Sequence, residues 1–223
     1  MTSPPPWSFS ALSAFETCPK RYFHTKVAKD VFDAPGEAAV WGSTVHKNLE
    51  DHLRSGTCSP VSIQYKGLLD PILRAPGTKL VEAQLAINEN LQPVEWWASD
   101  AWCRGIIDAG VLTPSENAAV LLDWKTGKRK VDSDQLKLFA GLAFSHYPKL
   151  RTVTTGFVWL KDKKIDKERF TSTDVPAIWA TFIPRVQRLH RAYLNGTFLP
   201  KPSGLCRKHC PVPKSKCEFS GKT

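Results

Sequence analysis

Long apolar runs are missing from this chain. No stretch of its 223 residues approaches the roughly 20 apolar residues that span a bilayer, and the opening "MTSPPPWSFS" has neither a basic n-region nor an apolar h-region. Membrane insertion and secretion are thereby disfavoured, and a soluble, cytoplasmic protein is the expectation. The chain also lacks internal repeats, low-complexity blocks and a P-loop, so no helicase motor is expected within it. Acids are scarce relative to bases: 21 Asp and Glu stand against 31 Lys and Arg, for a formal net charge of +10. From Arg185 onward there are nine basic residues and a single acid, Glu218. Such an end either makes a solvated basic tail or meets a polyanion, with nucleic acid the first candidate.

What is present is an ordinary globular composition, 42% hydrophobic, enough for one sizeable domain or a domain with a small appended module. Six cysteines in a chain without a secretory signal suggest thiols or metal ligands rather than disulfides. Cys206, Cys210 and Cys217 cluster near the C-terminus, whereas Cys58 and Cys103 are isolated.

The N-terminal "SFSALSAFETCPKRYFHTKV" predicts two short helices around Pro19, capped by Ser8 or Ser10. In "EAAVWGSTVHKNLEDHLRSG", Trp41, Val45, Leu49 and Leu53 fall near one helical face, with His46 beside it. "KLVEAQLAI" alternates as a strand, Val81, Ala83, Leu85 and Ile87 on one side, Glu82 and Gln84 on the other. Two further strands follow in "AWCRGIIDAGVL" and "NAAVLLDWKTG", then a helix in "DSDQLKLFAGLAFSHY" starting near Ser133. "TVTTGFVWL" reads as a strand, and "DVPAIWATFIPRVQRLHRAYLNG" as a long helix that Pro184 is placed to kink. The order predicts a three-layer α/β domain, a mixed central sheet flanked by helices, followed by a cysteine-bearing C-terminal segment.

The most informative stretch is "LLDWKTGKRK". Asp123 and Lys125 share one strand face, while Leu122 and Trp124 enter the opposite layer. Asp108 sits among apolar neighbours in the preceding strand, and Glu82 is the lone acid of the strand before that. Carboxylates gathered from three strands repel unless a cation lies between them, and Mg²⁺ or Mn²⁺ suits such oxygens. Salt bridges at strand ends are the alternative, with Lys125 pairing Asp123 or Asp108. Lys128, Arg129 and Lys130, just before a helix start, would serve either as a phosphate-handling turn or as a solvated one. Trp96, Trp97 and Trp102 in "EWWASDAWC" fit hairpin packing better than the alternative, stacking on unpaired bases.

Taken together, His46 in "GSTVH", Glu82 in "VEAQL", Asp108 in "GIIDAG", Asp123 and Lys125 in "LLDWKTGK", and Gln135 in "QLKLF" resemble the successive motifs of the PD-(D/E)XK nucleases. The nearest branch is the RecB-like exonucleases, which include CRISPR-associated and phage-encoded members. The likeness runs from "ALSAFETCPKRYF" to "CRKHCPVPKSKC", so residues 1–223 would form one nuclease domain. It implies a metal-dependent DNA exonuclease in recombination, repair or phage DNA metabolism, alone or with a helicase or recombination partner. Asp108 and Asp123 would bind the catalytic metal with the Trp124 carbonyl, His46 would be a further ligand, and Lys125 would act on the attacking water. Glu82 would be an accessory acid, and Gln135 would match a "QxxxY" motif whose last position is here Phe139.

The resemblance further implies an iron–sulfur cluster on Cys18, Cys206, Cys210 and Cys217, with the segment 196–223 packing back on the N-terminal helix. The gaps C-x3-C-x6-C are each one residue longer than that branch's C-x2-C-x5-C, which leaves zinc with His209, or no metal, as alternatives. Two rival functions stay open: a DNA-binding module without catalysis, and a subunit active only within a larger helicase or integration complex.

Overall fold

The structure is a computed structural model describing residues 4–129 and 134–221. The chain divides into two compact units, Pro35–Trp179 and, joining both chain ends, Met1–Ala34 with Ala180–Thr223.

The first unit is built on a six-stranded sheet. Its strands are β1 (Thr78–Ile87), β2 (Pro93–Val94), β3 (Cys103–Leu112), β4 (Ala118–Lys125), β5 (Thr152–Trp159) and β6 (Lys164–Thr171), in the order β2-β1-β3-β4-β5-β6. Every pairing is antiparallel except β4 with β5, whose crossover carries helix α6 (Asp134–His146). A parallel pair requires such a crossover, so one helix between "LLDWK" and "TVTTGFVW" makes the sheet mixed.

Helices α3 (Glu37–Ser55), α4 (Pro60–Ile63) and α5 (Lys66–Arg74) line one face. There Val45, Leu49, Leu53, Leu69 and Ile72 bury against Ala109, Trp124, Val158 and Leu160. Gly56 ends α3 at φ 70, the left-handed conformation that glycine adopts without a Cβ clash. Trp41 departs from the predicted apolar stripe: it is half-exposed, one turn before the residues that reach the sheet. Helix α6 is buried nearly all round. Phe139 and Leu142 pack over Gly105, and Gly141 lets Ile178 and Trp179 approach closely at the start of α7 (Val175–Asn195). That helix runs on through Pro184.

Two features escape the sequence pattern. Strand β6 was not anticipated, because "KIDKERFT" buries none of its residues fully; its lysines and arginine instead guard the sheet edge. The alternation of β1 also breaks at Glu82, whose backbone takes φ 46, so that Leu85, Ala86 and Ile87 are all buried. On the neighbouring strand the facing inverts at the same level. Ala109 belongs to the α3 side, yet Gly105, also odd-numbered, lies under α6.

The second unit holds α1 (Phe9–Thr17), α2 (Pro19–Tyr22), a π-helical turn (Phe23–Val27), most of α7 and the tail. Ser8 caps α1, its hydroxyl accepting from the Ala11 amide. Trp7, Leu12, Phe15, Tyr22, Phe182 and Val186 form its core. Ion pairs cross between the ends of the chain: Arg185 grips Glu16 with two bonds of 2.8 and 2.7 Å, Lys216 meets Asp30 at 2.7 Å and Lys20 meets Glu218 at 3.3 Å.

Candidate active site

The site forms where two strands part. β3 pairs with β4 only from Ala109 to Leu112, while its first half, from Cys103, pairs with β1 alone. In the registers, Glu82 faces Asp108 across β1 and β3, and Asp108 faces Asp123 one step beyond the last β3–β4 pair. Three carboxylates therefore occupy one row across three strands. At the fork the Trp124 amide donates to Asp108 Oδ2 at 2.7 Å, a side-chain bond in place of a ladder bond.

From α3, His46 reaches the same place. Its Nε2–H donates to the Trp124 carbonyl at 2.9 Å, which leaves Nδ1 with its lone pair, 3.5 Å from Asp108 Oδ2. One ligand atom each from His46, Glu82 and Asp108 lies within 4.8 Å of the others. Asp123 stands apart from that trio. Gln135 Nε2 donates to its Oδ1 at 2.9 Å, and Lys125 Nζ lies 2.6 Å from its Oδ2, outside hydrogen-bonding direction. Lys125 also donates to Gln135 Oε1 at 3.0 Å and rests over the Phe157 ring at 4.8 Å. Of the residues expected at the site, His46, Glu82, Asp108, Asp123, Trp124, Lys125 and Gln135 thus all converge in the structure. The Trp124 carbonyl is occupied by His46, and Phe139 is a buried core ring under which Gly105 fits.

Burial dominates the electrostatics of this row, with neighbouring charges second. Burial, followed by the Asp123 carboxylate, pushes the Asp108 carboxyl up to about 8. Burial also raises Asp123, against the pull of Lys125, and it raises Glu82, helped by Glu50. His46 is lowered, chiefly by burial, so it is a neutral imidazole near pH 7, the form that binds metals. Three carboxylates thus crowd this row beside Lys125. Glu82 adds backbone strain at its left-handed φ, of the order of 1–3 kcal/mol, a cost that tends to persist at working sites.

An open groove of about 430 Å³ leads here, lined by Gly42, His46, Lys47, Glu50, Glu82 and Thr126. Glu50 was not singled out from the sequence, although it follows His46 by four residues and so shares its helix face. Arg54 holds it, donating to Glu50 Oε1 at 2.8 Å and to the Val81 carbonyl at 2.7 Å. Lys130 and Ser133 lie outside the described residues; Arg129 bonds Asp166, and α6 is described from Asp134.

In the second unit, Cys18, Cys206, Cys210 and Cys217 line one cavity with Arg21 and Phe219. His209 is exposed and does not line it. Cys58 is exposed and Cys103 buried, and neither lines the cavity.

The model of the PD-(D/E)XK nuclease superfamily matches residues 6–217. The chain belongs to the PD-(D/E)XK nuclease superfamily. Among solved structures it is similar to a "Putative exonuclease" from Eubacterium rectale, at 14% identity and TM-score 0.55, covering 90% of this chain and 85% of that one. The structure of SSO0001 is similar at 15% identity and TM-score 0.50, covering 100% and 90%. At these identities the two likenesses speak for the fold. No curated protein matches the sequence. Among the described residues, no helix of this nuclease-family chain is long and apolar enough to cross a membrane.

Proposed function

We propose that this chain is a metal-dependent DNA exonuclease. The observation that carries the reading is the row of Glu82, Asp108 and Asp123 at the strand fork, with Lys125 two residues from Asp123. The donor set fits a divalent cation. The lone pair of His46 Nδ1 and the Asp108 carboxylate confront each other at 3.5 Å, and Glu82 adds an oxygen within reach. His46, Glu82 and Asp108 would hold Mg²⁺ or Mn²⁺, joined by Asp123, and the Trp124 carbonyl would join them only by giving up its bond from His46. When bound, the ion supplies positive charge to the scissile phosphate and makes a nearby water more acidic.

The remaining work falls to side chains. Asp123 and Gln135 fix Lys125 Nζ from two sides, leaving it a donor for the attacking water or a phosphoryl oxygen. Gln135 keeps both partners aligned through its amide. Burial of the acids shields these interactions from solvent and strengthens them.

The four cysteines would carry an iron–sulfur cluster, supported by their shared cavity and by thiolate chemistry. Its task would be structural, joining Cys18 to the tail. Recombination, repair or phage DNA metabolism would suit such an enzyme, with or without a helicase partner.

The test is cleavage of end-labelled linear and closed-circular DNA with Mg²⁺, Mn²⁺ or EDTA, comparing wild type with Lys125→Ala. Metal-dependent loss of linear DNA alone, absent in the variant, is expected. Cleavage of closed circles would overturn the exonuclease assignment, and unchanged turnover in Lys125→Ala would overturn the role given to Lys125.

A further inference from the structure

The tryptophans before β3 are not used by the chemistry above. Trp97 is 82% exposed, a large apolar ring left in water in the short connection between β2 and β3. It is not isolated. The Arg104 guanidinium lies 5.0 Å from the Trp97 ring centre and 5.4 Å from that of Trp96, and the two indoles meet edge to face at 85°. Trp96 and Arg104 thus hold Trp97 in one orientation with a face open. Trp102 differs, since it packs on Trp179.

Position on the strand gives this cluster a meaning. Gly105 lies under α6, so Arg104 and Ile106 project from the other side of β3, where Ile106 is itself 38% exposed. Arg104 is four residues before Asp108, about 13 Å along a strand rising roughly 3.3 Å per residue. An aromatic face backed by a cation suits an unpaired base, which stacks on rings whatever its identity, while its phosphate accepts the arginine's charge. A duplex offers no free base face except at its end.

We infer that Trp97, braced by Arg104 and Trp96, is a stacking platform for an unpaired base of single-stranded DNA. This rests on the nuclease reading for its placement, but its test needs no cleavage. Binding of a labelled 20-nucleotide oligo-dT and of a blunt duplex is measured by anisotropy in EDTA, for wild type, Trp97→Ala and Trp97→Phe. Trp97→Ala is expected to weaken oligo-dT binding roughly 5- to 100-fold, the range of one base–aromatic stack. Trp97→Phe should restore most of it, and duplex affinity should change less than about twofold.

The inference is overturned if Trp97→Ala binds oligo-dT as wild type does, if both substrates weaken equally, or if wild type does not bind oligo-dT. Because the ring is exposed, Trp97→Ala should melt at the wild-type temperature; if it does not, Trp97→Phe alone decides, failing the inference if ring stacking is not kept. Absence of metal-dependent cleavage by the wild type, with this binding intact, would instead fault the catalytic reading.

Discussion

Replacing Asp108 by Asn should make the metal-free protein more stable at alkaline pH. The Asp108 carboxyl is held up at about 8, against an ordinary 3.8, by burial and by the Asp123 carboxylate. Between those values the folded chain keeps a proton that the unfolded chain has released, so stability falls as pH rises from about 4 to about 8. Four units at roughly 1.36 kcal/mol each give a ceiling of about 6 kcal/mol. Asp123 shares the repulsion, and protonation of either acid relieves it, so about half is the working expectation. Asparagine is isosteric, keeps an oxygen for the Trp124 amide and cannot ionise. The assay is urea unfolding in EDTA at pH 5 and pH 9 for both proteins. The variant and wild type should differ little at pH 5, and the variant should be more stable by about 3 kcal/mol at pH 9. Adding Mn²⁺ at pH 9 should stabilise wild type and not the variant. Parallel loss of stability in both proteins would refute the buried-charge reasoning, and equal stabilisation of both by Mn²⁺ would refute Asp108 as a ligand.

Other perturbations probe the same network. Glu82→Gly should relieve the left-handed backbone, raising metal-free stability by about 1 kcal/mol, while weakening Mn²⁺ binding measured by calorimetry. Lys125→Ala should abolish cleavage yet keep Mn²⁺ binding, and should drive the Asp123 carboxyl further up, which a melting curve would register as greater loss of stability at pH 8 than at pH 6. Gly110→Ala would set a Cβ 2.8 Å from the Val120 carbonyl oxygen, a backbone atom that cannot swing away, so a loss of about 1–3 kcal/mol is expected by urea unfolding. Cys206→Ser should lower the melting temperature and remove any visible absorbance of anaerobically purified protein; a colourless wild type would end the cluster proposal.

Periodicity carried the sheet and the main helices because their apolar residues face one neighbour each. Val45, Leu49 and Leu53 recur at helical spacing, and Leu122 with Trp124 recur at strand spacing, so both patterns could be read without the fold. Strand β6 left no such trace, since an edge strand with neither face buried has no reason to alternate in polarity. Of the site, Asp123 and Lys125 were legible because i and i+2 on a strand must share a side. Gln135 was reached only through the order of motifs, since nothing in "DQLKLF" says that its amide will bridge the other two. Glu50 is legible in principle from its spacing to His46, four residues on along the same helix. Trp97 departs from the packing that its hydrophobicity argues for, because the course of the connection leaves the ring in water.

What no pattern could reveal is the fork, because it depends on pairing between strands rather than on any one of them. β3 serves two partners at one end and one at the other, and the change falls at Asp108. Had β4 stayed paired, ladder bonds could have served the Trp124 amide, and nothing would draw a carboxylate under it. Because the strands part, that amide takes Asp108 instead, the His46 ring closes on the Trp124 carbonyl, and Glu82 is bent through an unfavourable φ toward both. Each of these is costly alone: a buried acid, a strained residue, a broken ladder. Their coincidence within one row is hard to account for by packing, since an apolar residue at position 108 would remove the first cost and a glycine at position 82 the second. A cation between Asp108, Glu82 and His46 offsets them together, which is why Mn²⁺ affinity, and with it the stabilisation that Mn²⁺ confers over the metal-free protein, should rise as pH climbs toward 8 in wild type and should be lost in Asp108→Asn.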